Sequence, residues 1–62
     1  MNGKELIKRL RKEGWALDRI KGSHHIYKKD GMLVAIPVHG HEDLPAGTLK
    51  HIIKHTGLKL NP

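Results

Sequence analysis

His24-His25-Ile26-Tyr27-Lys28-Lys29-Asp30-Gly31-Met32-Leu33-Val34-Ala35-Ile36-Pro37 reads as a β-hairpin. Asp30-Gly31 is a dipeptide favoured in two-residue type I′ turns, where both central residues need positive φ. Pro37 has no N–H to donate and suits the end of a strand. A two-residue loop sets the register. Lys29 then pairs with Met32, Tyr27 with Val34 and His25 with Ile36. Lys28 pairs with Leu33, Ile26 with Ala35 and His24 with Pro37. Successive side chains alternate between faces. Tyr27, Met32, Val34 and Ile36 form the bulkier apolar set and are expected to face a helical layer, with His25 and Lys29 at the two ends of that face. His24, Ile26, Lys28, Leu33 and Ala35 then point outward. Exposed Ile26 and Leu33 would suggest a partner surface.

Upstream of the hairpin, the spacing predicts a helix over 2–13. Asn2 is a fair N-cap and Glu5 completes a capping-box pattern. Leu6, Ile7 and Leu10 share one face, and Lys4, Lys8, Arg11 and Lys12 gather on roughly the opposite side. Gly14 is a candidate left-handed C-cap. Trp15 to Arg19 alternates as a strand does, and Ile20 to Ser23 reads as a turn in which Gly22 can take positive φ. Downstream, 38–44 is a polar loop. Pro45 suits the first turn of a second helix, whose stripe is Leu49, Ile52 and Ile53 and which Gly57 caps. Leu58 and Leu60 are expected to fold back onto the core. The order is helix, three strands, helix. This makes an α+β domain with a three-stranded antiparallel sheet and both helices on one face.

The 62 residues make one domain, 1–62. Such a chain buries only about 60% of the surface its unfolded form exposes, so modest stability is expected, with help from self-association or a tight partner. There is no cysteine, which removes disulfides, thiolate metal sites and a cysteine nucleophile. No apolar run reaches the roughly 20 residues of a membrane span. Met1-Asn2-Gly3-Lys4-Glu5 has no apolar signal core, so a cytoplasmic location is expected. Twelve basic residues against six acidic give a net charge of +6, a field that favours a polyanion, most simply nucleic acid.

Six histidines stand out in this composition. His51 and His55 have i, i+4 metal-ligand spacing but lack the glutamate of H-E-x-x-H. His39-Gly40-His41 has no evident third ligand, so no metal is expected. Ser23 and His24 are strand neighbours that point apart, which argues against a serine hydrolase. No phosphate loop is present, and the chain is too small for a buried organic cofactor. RNA hydrolysis asks for less. RNA carries its own nucleophile, the 2′-hydroxyl, so the protein needs an imidazole near the reacting oxygens and cations around the phosphate. Histidine ordinarily titrates near pH 6.5, and one acid/base group contributes about 10²–10⁴-fold. A non-catalytic RNA-binding module and a structural partner of another protein are the competing readings. Salt separates the last, because electrostatic RNA binding weakens steeply as salt rises.

Gly22-Ser23-His24-His25-Ile26-Tyr27, with Lys21 before it, resembles the most specific motif of the HicA (YcfA-like) toxins. The likeness extends over nearly the whole chain. It takes in Leu6-Ile7-Lys8-Arg9-Leu10, Gly14-Trp15, Val34-Ala35-Ile36-Pro37 with His39, the segment 44–50 and the segment 53–58. The resemblance implies a double-stranded-RNA-binding-domain-like α-β-β-β-α fold. It also implies a toxin of a type II HicAB-like toxin–antitoxin system. Such a toxin is a ribosome-independent, metal-independent mRNA endoribonuclease neutralised by a HicB-type antitoxin, with the chain a monomer alone or a heteromer with that partner. By motif the catalytic histidine falls on His24, with His25 as the alternative. Gly22 and Ser23 form the turn that presents it, and Lys4, Lys8, Arg11, Lys12, Lys21 and Lys28 are the expected RNA-binding cations. The outward register of His24 agrees with this. His24 would act as general base on the 2′-hydroxyl, leaving a 2′,3′-cyclic phosphate. Pro45-Ala46-Gly47 stands where double-strand binders carry a lysine cluster, which favours single-stranded mRNA. The antitoxin is expected to cover the His24 face together with Ile26 and Leu33.

Overall fold

The computed structural model describes residues 1–60. The first helix, α1, spans Gly3–Lys12. Both halves of its capping box form: Glu5 N–H donates to Asn2 Oδ1 at 2.9 Å and Asn2 N–H to Glu5 Oε1 at 3.2 Å. Its other end is a Schellman motif. Gly14 sits at φ +96°, Gly14 N–H donates to the Arg11 carbonyl and Trp15 N–H to the Leu10 carbonyl, each at 3.1 Å. The motif reverses the chain and drops Trp15 into the core. Lys29 Nζ donates to the Glu13 carbonyl at 2.6 Å, tying the helix end to the hairpin.

Three strands follow, β1 (Ala16–Lys21), β2 (His24–Lys29) and β3 (Met32–Pro37). They form an antiparallel meander in the order β1-β2-β3. The β2–β3 register is the one the two-residue loop imposes, from Lys29↔Met32 to His24↔Pro37. Asp30 and Gly31 lie at φ 49° and 81°, as a type I′ turn requires. The first strand is longer than the sequence pattern suggests. Ile20 and Lys21 belong to β1, paired with His25 and His24, and the turn is Gly22-Ser23 alone. Pairing up to Lys21↔His24 satisfies more backbone groups than a four-residue loop would. A bulge between Leu17 and Arg19 shifts the alternation that made the strand look shorter.

The second helix, α2, spans Ala46–Thr56, with Pro45 at the N-cap and Gly57 as a left-handed C-cap at φ 72°. Both helices lie against β3. Leu6, Ile7 and Leu10 of α1 and Ile52 of α2 share one core with Trp15, Tyr27, Val34, Ile36, Leu44 and Leu58. Leu60 is half-buried against it. Met32 departs from expectation. It has the right parity but is 44% exposed, because it sits at the hairpin tip. The helices also leave β1 uncovered. Leu17 and Ile20 pair with Tyr27 and His25 on the helix side of the sheet, yet are 50% and 56% exposed. On the opposite face Leu33 is 46% exposed, whereas Ile26 is half-buried.

Of the glycines, Gly3 has the closest surroundings. It is buried, and a Cβ there would run into the carbonyl oxygen of Pro37. A backbone atom cannot swing aside as a side chain can. Alanine in place of glycine inside a helix usually gains about 1 kcal/mol. Here Gly3→Ala should instead destabilise by about 1–3 kcal/mol through overpacking. Its thermal midpoint should fall by roughly 4–8 °C per kcal/mol, as circular dichroism would show.

Candidate functional site

The β1–β2 turn and the exit of β3 are bound together. Gly22 takes φ 61° at the first loop position. Val38 N–H donates to the Ser23 carbonyl at 2.8 Å, so the pairing runs one step past Pro37. His24 is exposed and lies directly opposite Pro37. His25 pairs with Ile36 on the helix side and is half-buried. The two adjacent imidazoles thus serve opposite faces, and only His24 presents its ring to solvent on the open face.

His24 shares that face with Lys21, its cross-strand partner, and with Lys28. Arg19, paired with Ile26, adds a third cation that sequence reasoning did not single out, since its side is set only after the bulge. Its guanidinium contacts Asp18 at 3.1 Å, an exposed pair of small energetic weight. Lys4, Lys8, Arg11 and Lys12 are all exposed, but α1 belongs to the layer on the other side of the sheet. The expected cations therefore divide between two surfaces, and the sheet group lies with His24.

His24 also lines a cleft of about 330 Å³ at this end of the molecule, together with His39, Glu42, Asp43, Leu44 and Thr48. The loop 38–45 forms the cleft by turning back on itself. Gly40 takes φ 60° and Glu42 N–H donates to the His39 carbonyl at 3.0 Å. Leu44 is buried, its N–H donates to the Met1 carbonyl at 2.8 Å, and the Met1 amino group lies 3.3 Å from Asp43 Oδ1. Sequence reasoning left His39, Glu42 and Asp43 outside the site. The available signal was parity: His39 lies two residues past Pro37, hence on the side of His24.

The remaining imidazole pair sits elsewhere. The His51 and His55 rings stack 6.1 Å apart at 9°. His55 Nε2 lies 3.1 Å from the Leu33 carbonyl oxygen. That oxygen can only accept, so Nε2 carries the proton and is engaged with the β3 edge. Among the described residues no three ligand-type side chains gather as a metal site, and no helix is long and apolar enough to cross a membrane.

No curated protein matches the chain. The family model described as the HicA toxin of bacterial toxin–antitoxin systems matches residues 3–58, a span that contains the hairpin, the cleft and both helices. The chain belongs to the HicA toxin family and is the toxin half of a toxin–antitoxin pair.

Proposed function

We propose that this toxin is a metal-independent endoribonuclease that cuts single-stranded mRNA with His24 as general base. The observation that carries the reading is the position of His24, exposed in an open cleft and on the sheet face that bears Arg19, Lys21 and Lys28. An imidazole can take the proton of the 2′-hydroxyl, and the cations can hold the phosphates on either side of the scissile bond. The 2′-oxygen attacks phosphorus, the bond to the 5′-oxygen breaks, and the products end in a 2′,3′-cyclic phosphate and a 5′-hydroxyl. Lys4, Lys8, Arg11 and Lys12 lie on the opposite layer and engage only transcripts long enough to pass round the domain. A HicB-type antitoxin neutralises the toxin in the cytoplasm by covering the open face, including His24 and Leu33.

The test is incubation of the purified chain with a short RNA and with a long transcript. The expected result is cleavage of both with cyclic phosphate ends, unaffected by chelator. Binding of a short single strand should weaken with a log–log salt slope of about −0.7 per phosphate held. Lys21→Ala and Lys28→Ala should each flatten that slope, whereas Lys8→Ala and Lys12→Ala should do so only for the long transcript. Salt-sensitive binding without cleavage would leave the toxin a non-catalytic RNA-binding module.

A further inference from the structure

Cleavage of RNA through its 2′-hydroxyl needs two proton transfers, one from the nucleophile and one to the departing 5′-oxygen. His24 can perform only the first within a single step. From the shared cleft we infer that His39 is the second catalytic residue, the general acid that protonates the leaving oxygen. This inference rests on the nuclease reading above and completes it.

Three observations carry it. His24 and His39 both line the same cleft, whereas His25 is on the other side of the sheet. The backbone that bears them is pinned. His24 pairs with Pro37, Val38 N–H is bonded to the Ser23 carbonyl, and the His39 carbonyl is held by Glu42 N–H. Side chains two apart on extended chain share a side, so His39 follows Pro37 onto the side of His24. Charge also differs around the two rings. Glu42 and Asp43 line the cleft with His39, Asp43 being paired with the Met1 amino group, while Lys21, outside the cleft lining, is the cross-strand neighbour of His24. A general acid begins the step as a cation and suits the carboxylate side. A general base begins neutral and suits the side that carries the lysine.

The protons balance. The 2′-hydroxyl gives its proton to the neutral His24 ring as the 2′-oxygen bonds to phosphorus. The bond from phosphorus to the 5′-oxygen breaks, and that oxygen takes a proton from the His39 imidazolium. His24 ends charged and His39 neutral, and exchange with water restores both.

The test compares an RNA oligonucleotide with one scissile phosphodiester and the same oligonucleotide with sulfur in place of the leaving 5′-oxygen. Sulfur departs as a stable thiolate and needs no acid. His39→Ala and His39→Gln should each lose about 10²–10⁴-fold on the oxygen ester and less than about tenfold on the sulfur ester. The alkaline limb of the pH–rate profile should vanish with the acid. His24→Ala should lose activity on both substrates and keep its melting transition. Equal losses of the His39 variants on both esters, or no loss on either, would overturn the acid role while leaving the nuclease reading intact. An unmutated chain inert on both substrates would overturn that reading and this inference together.

Discussion

Substituting His24 with alanine should lower RNA cleavage by about 10²–10⁴-fold and abolish growth arrest on expression, with no change in the thermal midpoint. The two halves of this expectation have separate causes. His24 is exposed, and substitutions at exposed positions usually stay within about 0.5 kcal/mol. Lost activity in a fully folded chain would therefore report chemistry. His25→Ala makes the informative companion. That ring is half-buried beside Ile36 on the helix side, so its removal should cost stability and spare cleavage of the remaining folded chain. If His24→Ala still cuts at the parent rate while His25→Ala does not, the catalytic role belongs to the inner imidazole and the cleft is misassigned.

Ile36→Ala should leave much of the chain unfolded at physiological temperature. Ile36 is fully buried in β3, the strand against which both helices lie. Truncating a buried isoleucine to alanine costs about 2–5 kcal/mol in lost transfer energy and cavity. A domain of this length has a total stability of only roughly 3–9 kcal/mol. A single side chain thus carries a loss comparable to the whole margin. Urea unfolding at fixed pH would measure it, and a midpoint within experimental error of the parent would show that the helices do not depend on β3. The same change at Leu33, on the uncovered face, should cost well under half as much.

The elements that sequence reasoning located best are those with local causes. Asp30-Gly31 fixes a turn, the turn fixes the register, and the register separates His24 from His25 without reference to any distant residue. The capping box at Asn2 and Glu5 and the left-handed glycines at 14 and 57 are equally local. Where the chain departs from expectation, the cause lies at a distance. Met32 has the parity of a core residue, but no helix reaches the hairpin tip. Ile20 looks like turn because the bulge at Asp18 breaks the alternation before it. The cleft was the least legible feature. It depends on the 38–45 loop being drawn against the N-terminus by Leu44 and Asp43, contacts between segments some forty residues apart that no periodicity encodes.

The meander order of the sheet has a kinetic side. Each strand is hydrogen-bonded only to the strand next to it in the chain, across loops of two residues. Closing so short a loop costs little entropy, and mixed helix–sheet domains fold between the microsecond-to-millisecond range of helical bundles and the millisecond-to-second range of all-β domains. The docking of α1 against β3, the Met1 contacts with Asp43 and Leu44, and the seating of Leu58 in the core are the contacts that span much of the chain. A toxin stripped from its antitoxin with denaturant is therefore expected to refold on dilution faster than it meets another copy. Its uncovered β1 edge, with Leu17 and Ile20, is then exposed to self-association from a native state rather than from a slow intermediate.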